Sequence, residues 1–313
     1  MLPLFTILHP LVDACSVTVL VVGGMSWQRV LAYNALAFAT QFPLGVALDA
    51  RPRLARGAFA ARVALTLAGV GLCACGVATA ALVLACVGNA LFHLSAGKSV
   101  LDAHGGRGGP VGLFISTGAL GLFAGMKLAG GHGPWCCLGF GAALAAVGAA
   151  AVWRGNADPS DASPAARKRR SGGGASDEIG GGNMRGLGWP VLLGLFALVA
   201  WRSWAGLLAG GMTNAAGLGF ALAGAAVTWA GKAAGGYLGD RFGRWVVTAV
   251  SVVGTLSLCF LCRPEQAALW LALLFVAQLA TGPVLSLMYD KSGGASGTAF
   301  GLNCLALFAG SIF

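Results

Sequence analysis

The chain contains few charged residues. Only 10% of its 313 residues are charged and 57% are hydrophobic, and the mean hydropathy is +0.80. A soluble domain of this length could not keep so apolar a composition in water. Apolar runs follow one another along the whole chain, and each is long enough to cross a bilayer as a helix. We therefore predict an all-α, polytopic membrane protein.

The chain also lacks the usual marks of an enzyme or of a disulfide framework. It contains no H-E-x-x-H or G-x-S-x-G motif, and no pair of carboxylates suited to catalysis inside an apolar run. The nine cysteines are odd in number and lie almost entirely in apolar runs, which is typical of small core residues. We expect no enzymatic activity, no cofactor and no metal site.

Basic residues divide unevenly between the loops. Loops after even-numbered spans carry most of the arginines and lysines, including Arg51, Arg107 and Arg244, whereas the other loops are nearly bare. By the positive-inside rule, the amino terminus and the central linker face the cytoplasm, in a bacterial-type inner (plasma) membrane. The net charge of +10 and the basic run at 167–170 then reflect topology, and we expect no nucleic-acid partner.

A polar linker divides the chain into two sets of spans. Six spans fall in 1–153, the linker covers 154–188 and should be flexible and cytoplasmic, and five spans fall in 189–313. The second set stops inside its fifth span, so we expect either a fragment or a naturally truncated product. Short glycine-containing sequences recur in the two sets in the same order, which predicts a parallel repeat: 23–25 with 210–212, 45–53 with 236–244, and 112–125 with 301–310.

The second copy of the middle repeat, residues 236–244, reads G-Y-L-G-D-R-F-G-R where a span leaves the membrane. It closely resembles the signature loop between the second and third helices of each half of the major facilitator superfamily. The first copy differs in having Pro52 where the family prefers glycine. The resemblance implies two pseudo-symmetric six-helix bundles around a central cavity, with about 11 spans because the second bundle lacks its last helix. It also assigns a cytoplasmic gate to Gly45, Asp49, Arg51, Arg53, Gly236, Asp240, Arg241, Gly243 and Arg244.

A narrower resemblance involves two short sequences. H-P-L-V-D at 9–13 and A-L-F-H at 90–93 are similar to the fosmidomycin-resistance type of drug efflux protein within that superfamily. That branch follows the second histidine with proline and glutamate, whereas Leu94 and Ser95 follow it here. The resemblance implies drug:proton exchange.

Polar side chains inside the spans are few. An ionisable group at a helix centre costs about 2.5–3.5 kcal/mol, so each one needs a reason. Asp13 shares a helix face with His9 and is either a proton carrier or part of a structural pair. Arg202 either meets an anionic solute or forms a salt bridge between the bundles. The candidate substrate and proton pathway comprises His9, Asp13, Asn34, Gln41, Asn89, His93, Arg202, Gln278 and Asn303.

These patterns favour a secondary active transporter that moves a small solute by alternating access. Deep cations outnumber deep anions, which favours an anionic or zwitterionic solute. Protons are the expected coupling ion, and the narrower resemblance implies efflux. The alternative is a transporter-derived receptor without transport, or an inactive truncated remnant. The expected partners are therefore the solute, protons and the lipid bilayer.

Overall fold

A computed structural model of the chain describes residues 1–51, 58–153 and 184–312. Nearly all of these residues are helical, and none of them lies in a strand. A helix satisfies its own backbone hydrogen bonds, which apolar segments in hydrocarbon require. The predicted all-α fold is confirmed. Arg53 and most of the predicted linker lie outside the described residues.

The helices are numbered α1 to α11 in chain order. The first half contains α1 (Leu2–Val22), α2 (Trp27–Ala50), α3 (Ala58–Ala74), α4 (Ala78–Ala103), α5 (Gly108–His132) and α6 (Pro134–Trp153). The second half contains α7 (Met184–Ala215), α8 (Leu218–Phe242), α9 (Arg244–Leu261), α10 (Ala267–Lys291) and α11 (Ser296–Gly310). Each overlaps a predicted span, and α7 begins inside the range predicted as linker. Among the described residues, 8 helices are long and apolar enough to cross a membrane.

Two helices change geometry just before a proline. A π-helical segment, Ala35–Ala39, interrupts α2, and α10 is divided into Ala267–Leu279 and Thr281–Lys291. Proline has no N–H and its ring clashes with the carbonyl four residues earlier. Pro43 and Pro283 stand four residues after the last residues of the interrupted segments, so they account for both changes.

Glycines bring the two halves into backbone contact. α5 is divided at Thr117, and its first segment, Gly108–Ser116, packs along α8, while α11 packs along the last segment of α2, Gln41–Ala50. A Cβ at Gly236 would overlap the carbonyl of Gly108, and a Cβ at Gly45 would overlap the carbonyl of Gly297. The two contacts correspond, because α5 and α11 hold equivalent places in the two halves, as do α8 and α2.

The most enclosed membrane helices are α1, α4 and α10. In the first half, Phe5 packs edge to face on Phe92 and on Phe114, which joins α1, α4 and α5 in one apolar core. Polar side chains on the enclosed helices are thereby withdrawn from lipid. This placement brings polar side chains of α1 and α4 together.

Candidate functional site

Two histidines and an aspartate meet in the interior of the first half. His9 Nε2 lies 3.2 Å from Asp13 Oδ2, and His93 Nε2 lies 3.3 Å from Asp13 Oδ1. The two imidazole rings stand edge to face with their centroids 4.4 Å apart. α1 supplies His9 and Asp13 one turn apart, and α4 supplies His93. All three side chains are buried, and they are called the His–Asp–His triad below.

Backbone carbonyls fix the orientation of both rings. His9 Nδ1 lies 2.7 Å from the carbonyl oxygen of Phe114, and His93 Nδ1 lies 2.9 Å from that of Asn89. A carbonyl oxygen can only accept, so each Nδ1 carries a hydrogen and donates it. Phe114 lies in the last turn of the first segment of α5, Gly108–Ser116, where carbonyls lack a helical partner. Both Nε2 atoms therefore point at one carboxylate.

Asn89 and Gly118 complete the surroundings of the triad. Asn89 Nδ2 donates to Asp13 Oδ1 over 3.1 Å and to Ser16 Oγ over 3.2 Å. A Cβ at Gly118 would lie 2.7 Å from His9 Nε2 and would overlap the Asp13 carboxylate. The structure thus brings together four predicted pathway residues, His9, Asp13, Asn89 and His93. The roles of Ser16, Phe114 and Gly118 were not predicted from the sequence.

A second polar group, centred on Arg202, lies in the second half. Arg202 Nη1 donates to Gln278 Oε1 over 2.7 Å, and Thr281 Oγ1 donates to the same oxygen over 3.1 Å. Arg202 is 4% exposed, and its Nε has no hydrogen-bond partner in the described part of the chain. Lys232 of α8 is within electrostatic range of Arg202 and of Asp13. No carboxylate in the described ranges forms an ion pair with Arg202 or Lys232.

Three predicted pathway residues stand apart from both groups. Asn34 Nδ2 donates to Ser311 Oγ over 3.3 Å, which joins the start of α2 to the end of α11. Gln41 Nε2 donates to the Ala37 carbonyl, over 2.6 Å, within its own helix. Asn303 is buried on α11, and its Oδ1 has no partner among the residues described. The structure does not bring these three to the triad or to Arg202 through a hydrogen bond.

Asp49 joins the end of α2 to the beginning of α11. Its carboxylate accepts hydrogen bonds from the backbone N–H of Gly297 (3.1 Å) and Thr298 (2.7 Å), and from Thr298 Oγ1 (2.9 Å). Lys98 Nζ of α4 lies 2.6 Å from Asp49 Oδ1. The carboxylate thus occupies the positive end of the α11 dipole and satisfies N–H groups that have no partner within the helix.

Asp240 makes the equivalent connection from the second half to the first. Its two carboxylate oxygens accept from the backbone N–H of Gly108 and of Gly109, each over 2.8 Å, at the start of α5. Arg107 Nε lies 3.7 Å from Asp240 Oδ2. Each signature aspartate therefore caps a helix of the opposite half. These two contacts are called the aspartate caps, and the end of the molecule where they lie is called the basic end.

The remaining predicted gate residues surround the aspartate caps. Gly243 has a φ of +101°, a backbone conformation that side chains rarely adopt, and it separates α8 from α9. Arg244 forms an ion pair with Asp290, whereas Arg51 and Arg241 are exposed. Sequence reasoning missed the partners Lys98, Gly108, Gly109, Gly297 and Thr298. One sequence signal could have identified Lys98. It stands four residues before Asp102 near the end of a span, so the two side chains share a helix face.

The fold matches solved structures of membrane transporters. The E. coli fucose:proton symporter FucP superposes with a TM-score of 0.62 at 12% identity, over 99% of this chain and 89% of that one. The human organic anion transporter MFSD10 superposes with a TM-score of 0.62 at 17% identity, over 98% and 90%. A bacterial homologue of the iron transporter ferroportin gives 0.51 at 15% identity, over 100% and 90%.

A second structure shows FucP, a major facilitator superfamily transporter, in the outward conformation. It superposes with a TM-score of 0.56 at 14% identity. It covers 99% of this chain and 89% of that one. No family model and no curated protein matches the chain. At these identities the likeness establishes the fold, so the predicted all-α, two-bundle membrane fold is confirmed, whereas the count of about 11 spans and the bounds of the two bundles stay predictions. The narrower resemblance to fosmidomycin-resistance proteins stays a prediction.

Proposed function

We propose that this chain is a secondary active transporter that moves a small solute across a membrane by alternating access. The observation that carries the proposal is the reciprocal pair of aspartate caps, in which Asp49 holds α11 and Asp240 holds α5. Both caps join the two halves through a few polar contacts at one end of the molecule. Such contacts can break and re-form while each half keeps its own core, which rigid-body rocking requires.

In this proposal the basic end faces the cytoplasm of a bacterial-type inner membrane. The excess of arginine and lysine in the loops at that end supports the orientation. The described conformation is then the one closed to the cytoplasm, and the solute pathway runs between the His–Asp–His triad and the Arg202 group.

The proposed solute is anionic or zwitterionic. Arg202 and Lys232 are two deep cations without a paired carboxylate in the described part of the chain, and an anion would compensate their charge. One fold neighbour is an organic anion transporter by description. A guanidinium suits a carboxylate in particular, because its planar fork can donate two parallel hydrogen bonds.

The Arg202→Gln variant should lose at least about tenfold in affinity for the solute, because truncating one partner of a buried charged contact costs about 2–5 kcal/mol. The measurement is the thermal shift of the purified protein with a panel of small carboxylates, amino acids, sugars and amines. The matched control is Arg263→Gln, since Arg263 is exposed. Equal stabilisation of wild type and Arg202→Gln by every binding carboxylate would rule out this role for Arg202.

The proposal includes proton coupling and, from the likeness of residues 9–13 and 90–93 to drug efflux proteins, transport directed outward. One fold neighbour is a fucose:proton symporter by description, which supports protons as the driving ion. Proteoliposomes loaded with a pH-sensitive dye should show proton movement when a binding solute from the panel is added, and a protonophore should abolish the accumulation of labelled solute. Binding without any flux would instead favour the receptor interpretation. Flux that ignores the imposed pH gradient would remove protons from the mechanism.

A further inference from the structure

The triad brings two imidazole nitrogens and one carboxylate together in the interior of the first half. The ligand atoms of His9, Asp13 and His93 all lie within 4.8 Å of one another. Ligands about 2.0–2.2 Å from an ion, at tetrahedral or octahedral angles, are themselves roughly 3–3.5 Å apart. His9 Nε2 lies 3.2 Å from Asp13 Oδ2 and His93 Nε2 lies 3.3 Å from Asp13 Oδ1, so each nitrogen stands at ligand spacing from one oxygen of the carboxylate. We propose that His9, Asp13 and His93 form a binding site for a divalent transition-metal ion.

The ring orientations support a cation between the three groups. Because each Nδ1 donates to a backbone carbonyl, a neutral ring turns the lone pair of Nε2 toward the Asp13 carboxylate. Two lone pairs and a carboxylate facing one another repel unless a positive charge lies among them. Histidines that bind metals have this same arrangement, with the second ring nitrogen donating to a carbonyl or carboxylate.

A divalent ion satisfies both Nε2 atoms at once, whereas a proton on one ring alone would leave the lone pair of the other Nε2 facing the carboxylate. Two imidazolium rings would stand 4.4 Å apart in the interior with one carboxylate between them, and buried like charges are costly. One ion bonds to both Nε2 atoms and to the carboxylate at the same time. Asn89 then holds the carboxylate from outside, through its Nδ2 donated to Asp13 Oδ1.

The donor set identifies the class of ion. Imidazole nitrogen with carboxylate oxygen suits Zn²⁺, Co²⁺, Mn²⁺ and Fe²⁺, whereas Ca²⁺ and Mg²⁺ prefer oxygen ligands throughout. Three protein ligands leave further coordination positions open for water. This site could not be predicted from the sequence, because His93 comes 80 residues after Asp13 and only the fold joins them.

Lys232 opposes a cation at the triad, since its ammonium group is within electrostatic range of both Asp13 and His93. Lys232→Gln should therefore strengthen metal binding several-fold. Removing one of the three ligands should instead weaken metal binding. This pair of opposite shifts is specific to an ion located at the triad.

The test is an equilibrium titration of the purified full-length protein with Co²⁺, followed by displacement with Zn²⁺. Co²⁺ reports its ligands through its visible absorption, and we expect one Co²⁺ per chain without a thiolate charge-transfer band. His9→Gln and His93→Gln should each weaken binding at least about tenfold, a loss that even outer-shell substitutions can cause. His104→Gln and His132→Gln are the matched controls, because they change the only other histidines.

Three results would overturn the site: no Co²⁺ or Zn²⁺ bound by the folded wild type, equal binding by the triad and control variants, or a thiolate spectrum. The last would assign the ion to cysteines such as Cys73 and Cys137, whose sulfurs are 3.6 Å apart. Size-exclusion profiles show whether each variant folds, and Asp13→Asn provides a third ligand variant. Binding is measured without flux, so failure of the metal site and failure of the transport proposal are separate results.

Discussion

Gly236→Leu is expected to prevent the two halves from closing at the basic end. A Cβ at this position would overlap the Gly108 carbonyl and lie 3.0 Å from the Gly109 Cα. Both are backbone atoms on α5, so no side-chain rotation can make room. Overpacking costs about 1–3 kcal/mol, and each 1.4 kcal/mol changes a population ratio tenfold. We expect the ratio of closed to open molecules to fall by about 5- to 140-fold, and solute flux to fall with it.

The measurement is the distance between spin labels at Ala103 and Arg241, two exposed positions near the basic end. The nine native cysteines are first replaced. Gly219→Leu is the matched control, because Gly219 lies on the same helix and a Cβ there would have no neighbour within 4 Å. If the label distance in Gly236→Leu were as short as in the control, the close contact between α5 and α8 would not be what holds the basic end closed.

Hydropathy could predict the helices, because a bilayer imposes length and composition on each span separately. Prolines could also point to the irregular segments before Pro43 and Pro283, since a proline acts on the carbonyl four residues earlier within the same helix, although Pro10 lies inside α1 without interrupting it. These features depend on local sequence alone. For the same reason, His9 and Asp13 could be assigned to one face of α1 from their spacing.

Contacts between helices could not be predicted in this way. Asp49 meets Thr298 across 249 positions, and the registers of α2 and α11 that bring them together are set by glycine contacts such as Gly45 on Gly297. Gly118 shows the same limit. Its lack of a side chain leaves room for the Asp13 carboxylate, but the sequence contains 51 glycines and does not mark this one.

The Arg202 group shows where sequence reasoning left a real choice. A salt bridge between the bundles and an anion site both fit an arginine deep in a span. The described residues pair Arg202 with the neutral amide oxygen of Gln278, within the second half. A neutral partner leaves the positive charge of Arg202 uncompensated, and this favours an anion site over a salt bridge.

Removing the aspartate caps should open the basic end, with a larger effect at Asp49 than at Asp240. Asp49 accepts two backbone N–H groups and a hydroxyl and also pairs with Lys98, whereas Asp240 accepts two backbone N–H groups and has Arg107 only at 3.7 Å. Hydrogen bonds to a charged group contribute about 1.5–3 kcal/mol each. Asp49→Ala should therefore lower the ratio of closed to open molecules at least about tenfold, and Asp240→Ala somewhat less.

The double variant tests whether the two caps act as one closing device. Because the caps hold the same two halves together, the losses should combine, and the distance between spin labels at Ala103 and Arg241 should increase more than in either single variant. Glu265→Gln is the control, since Glu265 is exposed in the loop between α9 and α10. If the label distance in the double variant stayed as short as in the control, backbone packing at the glycines alone would hold the halves closed, and the caps would have no part in gating.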